Sequence, residues 1–126
     1  MITFKKYFES HDNNQKVVAW HVTSRNNLKK IRKLGLRPNI PEDFGESGDA
    51  MGVYCFPSKE DAENALYNWM GERIAEWEEQ TGIPYNEVLL KLDITNLPFT
   101  KEPDLDWEII VREAIPPDRI LAVEDI

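Results

Sequence analysis

The sequence predicts an α+β fold, a mixed β-sheet flanked by helices, in a single domain covering residues 1–126. Three observations carry that expectation. Short β-branched and aromatic runs recur along the chain, two stretches with helical spacing separate them, and the two types do not alternate in the regular manner of a doubly wound fold. A chain of 126 residues buries enough surface to fold as one unit without covalent staples. Its 41% hydrophobic and 30% charged residues suit a globular protein and argue against disorder. No internal repeat, low-complexity tract or linker-like shift of composition divides it.

The elements follow in order. Val17 to His21 is a short β-branched and aromatic run, and Thr23 or Ser24 then offers an N-cap for a helix from about Asn26 to Leu34. Leu28, Ile31 and Leu34 share one face of that helix, and Gly35 stands where a left-handed residue ends it. Residues 37–51 hold two prolines, two glycines and several acids with no period, and read as a surface loop. Gly52 to Phe56 reads as a buried strand. Pro57 and Ser58 open a second helix with Asp61 at the capping-box position, running to about Gln80 before Thr81, Gly82 and Pro84 stop it. Val88 to Ile94 alternates, with Val88, Leu90 and Leu92 on one side. Residues 95–106 read as a polar loop carrying Pro98 and Pro103, Trp107 to Arg112 as a strand, and Arg119 to Val123 as a last strand.

Composition narrows the function classes. The 23 acidic against 15 basic residues leave a formal charge of -8, so the chain has no general electrostatic affinity for nucleic acid. Lys29, Lys30, Arg32, Lys33 and Arg37 form a local basic cluster that reads as a solvated helix face. One cysteine and two histidines exclude a disulfide framework and are a poor supply of metal ligands, so no metal is expected. No stretch approaches the roughly 18 apolar residues of a membrane span, and the N-terminal residues do not read as a leader, so a cytoplasmic location is expected.

Three strand segments each carry a polar residue of a kind that chemistry uses: His21 in Trp20-His21-Val22-Thr23, Tyr54 in Gly52-Val53-Tyr54, and Glu108 in Trp107-Glu108-Ile109-Ile110-Val111. Singly, each has a plain structural explanation: a strand-end histidine held by a carbonyl, a core aromatic, a surface residue on an alternating strand. Cys55, inside a buried strand, reads as an inert core thiol, and Trp69, Met70 and Trp77 as a packing stripe or partner face. The acids Glu72, Glu76 and Glu79 read as a solvated helix face.

In that order and setting the three residues resemble the His-Tyr-Glu signature of diphtheria-toxin-like ADP-ribosyltransferases and poly(ADP-ribose) polymerases. HVTSRNNLKKIRKLGLRP is similar to the opening of many bacterial members, the DNA-modifying toxin branch included. GVYCFPSKEDAENAL is similar to their tyrosine strand and helix, and EIIVREAIPPDRI to their glutamate strand. The likeness covers residues 20–36, 52–66 and 107–120. It implies a split sheet core with NAD+ as co-substrate, and mono-ADP-ribosyl transfer to a protein or nucleic-acid acceptor in bacterial or phage conflict. A target protein or antitoxin is the implied partner.

The residue types suit that reaction. Breaking the bond between ribose and nicotinamide passes through an oxocarbenium-like transition state that a carboxylate stabilises, the role assigned to Glu108. Tyr54 would stack on the nicotinamide ring, and His21, supported by Thr23, would hydrogen-bond a ribose hydroxyl on the adenosine side. Arg25 or Arg37 would pair with the pyrophosphate. Many members have a glycine directly after the histidine, whose backbone holds the nicotinamide amide; here that position is Val22. Asp106 stands two residues before Glu108, where some members place the group that engages the acceptor, and Thr95 to Asp106 corresponds to their acceptor-recognition loop. Two alternatives stay open: a non-catalytic NAD or ADP-ribose binding module or acidic inhibitor, and an RNA 2'-phosphotransferase-like enzyme of similar fold.

Overall fold

The structure is a computed structural model that describes residues 16–38, 52–102 and 105–126. Among the described residues, six strands make two three-stranded antiparallel sheets, with three α-helices around them. The first sheet has the order β1-β3-β6, built from Val18–Ser24, Glu87–Asp93 and Ile120–Asp125. The second has the order β2-β5-β4, built from Val53–Cys55, Leu105–Val111 and Phe99–Glu102. Among the described residues the sheets meet at a bridge where Trp20 and Phe56 exchange both backbone hydrogen bonds, at 2.8 and 2.7 Å.

An α+β architecture is therefore present, but the mixed pairing expected from the sequence is not: every strand pair among the described residues is antiparallel. A parallel pair needs a helical crossover between strands of one sheet. Here the helices after β2 lead to β3, which belongs to the other sheet, so the crossover joins sheets and makes no parallel neighbour.

Local chemistry sets the helix ends. Ser24 accepts from the Asn26 amide, opening a 3-10 turn Arg25–Asn27 that continues into α1, Leu28–Leu34. Ser58 accepts from the Asp61 amide at 3.0 Å and donates to its carboxylate at 2.9 Å, which caps α2, Lys59–Tyr67. The single helix expected as far as Gln80 is broken at Asn68, and α3 runs Trp69–Thr81. A Cβ on Gly71 would overlap the Leu66 carbonyl oxygen, so glycine lets the first turn of α3 close against the end of α2. The break turns Met70 and Ile74 into the core.

Two apolar clusters result. One joins both sheets with α1: Ala19, Leu90 and Leu92 from the first, Val53, Cys55, Ile109 and Val111 from the second, and Ile31 from α1. The other packs α2 and α3 on the opposite face of the first sheet, with Val22, Leu89, Phe56, Ala62, Met70 and Ile74. Hence β3 is covered on both faces. Val88, Leu89, Leu90 and Leu92 are all fully buried, where the sequence suggested an apolar face of Val88, Leu90 and Leu92 only. The expected polar loop at residues 95–106 holds a further strand, β4, in a hairpin with β5. As a short edge strand of polar alternation beside prolines, it carries little of the apolar signal that marks buried strands.

Residues 39–51 of the expected acidic loop, and residues 1–15, lie outside the described residues. Among the described residues no helix is long and apolar enough to cross a membrane.

Candidate functional site

The site begins with the hydrogen-bonding direction of β1. Its odd-numbered residues pair with β3, since the same rungs continue as Ile94 N–H to Val17 O and Arg25 N–H to Asn86 O, both at 2.8 Å. Antiparallel ladders alternate, so the backbone groups of Trp20 and Val22 point to the other edge of β1, toward β2. Trp20 uses them on Phe56. The next rung in that register would join Val22 to Tyr54, and among the described residues no β1–β2 ladder contains it. The Nδ1 of His21 instead donates to the Tyr54 carbonyl at 2.8 Å. Among the described residues the pairing of β1 with the β2 segment therefore stops at the bridge, and the Val22 amide and carbonyl lie on the edge of β1 that faces β2.

Because a carbonyl can only accept, the contact places a proton on Nδ1 of His21. Burial disfavours the imidazolium and holds its pKa below the ordinary 6.5, the Tyr54 carbonyl pulling weakly the other way. The neutral imidazole is thus the favoured form, and with the proton on Nδ1 its Nε2 is an acceptor.

Tyr54 and Glu108 lie on neighbouring strands. Tyr54 is registered against Ile110 of β5, and Glu108, two residues away on β5, has its Cβ on the same face. That makes Tyr54 and Glu108 diagonal cross-strand neighbours, about 7–8 Å apart. Glu108 is only 2% exposed and Tyr54 is half-buried; both are engaged with other groups of the chain. Phe56, Trp107 and Trp69 form an aromatic cluster beside them, with ring centroids 6.4 Å apart for the first pair and 5.9 Å for the second. The sequence holds no local signal for this cluster, which draws on three separate elements.

The remaining expected residues fall into two groups. Val22 is buried against Leu89 and Phe56, its side chain in the core and its outward backbone on the edge facing β2. Thr23 is buried and receives the Asn27 side-chain amide at 3.5 Å, so it supports the turn after β1. Arg25 lies four residues beyond His21, at the far end of the sheet, and forms an ion pair with Asp125. Arg37 is exposed just after Leu36, which bridges Ile115. Asp106 lies on β5, and its side chain is outside the described residues. The fold therefore joins His21 to the Tyr54 carbonyl and sets Glu108 diagonally across from Tyr54, while Arg25 is paired with Asp125 and Arg37 is exposed.

Neighbouring features take structural roles. Cys55 is fully buried and its thiol is pushed up by burial, which keeps it protonated and unreactive. Trp69 and Met70 pack into the helix-side core, and Trp77 meets Tyr85 edge to face at 5.5 Å. Glu72, Glu76 and Glu79 are exposed. An open groove of about 370 Å³, lined by Arg32, Pro117 and residues 120–123, lies between α1 and β6 and contains none of the junction residues. Among the described residues no group of three or more His, Cys, Asp or Glu side chains is placed to hold a metal ion. No protein-family model matches the chain, and no curated protein matches it.

Proposed function

We propose that the edge of β1 facing β2 binds NAD+, and that the chain has an ADP-ribosyltransferase-like split-sheet fold and transfers ADP-ribose to a macromolecular acceptor. The observation that carries this reading is the β1 edge at Val22, beyond the bridge to the β2 segment, with His21 bonded to the Tyr54 carbonyl and Glu108 diagonally across from Tyr54. An outward N–H and C=O on one residue offer a donor and an acceptor to a planar carboxamide, the group nicotinamide carries. The Val22 backbone supplies them as a glycine would, because its side chain is turned into the core. His21 Nε2 accepts from a ribose hydroxyl. Tyr54 offers a ring face for stacking, and the Glu108 carboxylate supplies negative charge beside the bond to be broken.

A second reading is favoured by one observation, the 2% exposure of Glu108. A carboxylate so enclosed suits a module that binds NAD+ or ADP-ribose without turnover, because the reaction needs it against the sugar.

Nicotinamide release from NAD+ by the wild type and Glu108→Gln, with bacterial lysate supplying acceptors, separates the two. Transferase activity requires release by the wild type and a loss of about 100-fold or more in the variant. Binding without release selects the module. Equal release by both proteins removes Glu108 from the mechanism.

A further inference from the structure

We infer that the outer edge of β6, with the basic flank of α1 beside it, is a docking site for an extended acidic segment of a partner protein, which adds to the first sheet as a fourth strand. The site shares no residue with the NAD+ reading and goes beyond it.

The ladder shows which backbone groups β6 offers. The even-numbered residues of β3 bond to β1, so its odd-numbered residues turn to β6, and the rungs there join Leu89 to Glu124 and Lys91 to Ala122. Val123 and Asp125 therefore point their amides and carbonyls away from β3. Neither makes a further backbone bond among the described residues, and β6 stands at the end of its sheet. The register shift opposite Lys91 and Leu92 falls at Leu121, ahead of both residues. A bulge commonly blunts an edge; this one leaves the stretch from Ala122 to Asp125 regular.

The groove beside β6 follows this edge. Its wall includes four consecutive residues, Ile120 to Val123. Side chains of a strand alternate between its two faces, so a groove that touches every residue in turn runs along the backbone edge. Leu121 is exposed there and adds apolar surface.

Charge selects the occupant. Arg32 stands across the groove on α1, and Lys29 and Lys33 lie about 60° and 100° farther round the same side of that helix. All three are exposed, and none is in an ion pair among the described residues. The two acids at the end of β6 are already paired, Glu124 with Lys59 at 2.7 Å and Asp125 with Arg25. In a chain of net charge -8 this groove is therefore locally positive and attracts carboxylates. Main-chain bonds to Val123 and Asp125 supply affinity, and the cations select acidic side chains. Phosphates would meet the same cations, but a nucleic-acid backbone has no amide to give the two outward carbonyls.

The test titrates the full chain, isotopically labelled, with three probes. One is a short capped peptide alternating glutamate with valine, the second has lysine for glutamate, and the third is an oligothymidylate. The acidic peptide is expected to shift the amides of α1 and β6 and to slow exchange at Val123 and Asp125 on the order of tenfold. The lysine peptide does neither. Arg32→Glu combined with Lys33→Glu weakens the acidic peptide roughly tenfold or more. Val123→Pro removes an outward N–H that β3 does not use, and abolishes the protection. Unslowed exchange at Val123 and Asp125 with the acidic peptide at about 1 mM overturns the inference, as does an equal effect of the lysine peptide. Oligothymidylate that displaces the peptide assigns the surface to nucleic acid and also overturns it. Should Val123→Pro fail to fold, the charge-reversed variant decides, unchanged affinity overturning the site. NAD+ enters none of these readouts, so failure here and failure of the transferase reading are separate results.

Discussion

Gly35 lies against Ile115 so closely that a Cβ on the glycine would overlap the Ile115 carbonyl oxygen. That carbonyl accepts from Leu36 N–H at 2.9 Å, and Ile115 N–H returns a bond to Leu36 at 2.8 Å. With φ 80° and ψ -170°, Gly35 also occupies a backbone region open essentially to glycine alone. Gly35→Ala is therefore expected to lower stability by about 1–3 kcal/mol from the backbone alone, and further if the bridge opens. Denaturant unfolding checks it; an unchanged midpoint would mean the bend adapts freely.

The depressed pKa of His21 has a definite sign in stability. The unfolded chain takes up a proton near pH 6.5 that the folded chain resists, so stability is retained above that value and declines as pH falls through it. Thermal melts from pH 7.5 to 5.5 should show the wild type losing more than His21→Gln, which has no titrating ring. Parallel losses in the two proteins would show that His21 is not held neutral.

Tyr54→Ala tests the stacking role. Loss of a ring face worth about 0.5–1.5 kcal/mol weakens NAD+ binding by roughly 2- to 12-fold, read by calorimetry on a variant whose fold is verified by its far-ultraviolet spectrum. Undiminished affinity would assign the ring to packing.

Thr95 ties the start of β1 to the end of β3, because its Oγ1 accepts from Val17 N–H at 2.8 Å. Arg119 adds to the same corner by donating to the Asp93 and Thr95 carbonyls. Thr95→Ala leaves the Val17 amide without that acceptor in a partly buried position and should lower stability by about 1–3 kcal/mol. Unfolding midpoints within error of each other would mean that water replaces the hydroxyl.

Part of the candidate site was legible in the residues. His21, Tyr54 and Glu108 stand out as polar residues in apolar strand segments; in the fold His21 donates to the Tyr54 carbonyl and Glu108 lies diagonally across from Tyr54. The proposed pyrophosphate partners Arg25 and Arg37 do not join them. An arginine's charge is plain from its identity, but Arg25 is committed to Asp125, exactly 100 residues along the chain, and no local pattern reports such a partner.

What the sequence determined by itself is the set of features whose cause lies within a few residues. The Ser24 and Ser58 caps, the glycine that ends α1 and the buried strand around Cys55 all depend on neighbours no more than one turn away, whereas of the expected Leu28, Ile31 and Leu34 face Leu34 is exposed. Tertiary structure decided the rest. It chose which strands pair, placed the edge strand β4, bent the long helix at Asn68 and set the bridge between Trp20 and Phe56. Each of these depends on a partner remote in sequence: Trp20 meets Phe56, and His21 reaches a carbonyl 33 residues away. A backbone group carries the same donor and acceptor at every residue, so only the folded register determines which partner each one finds.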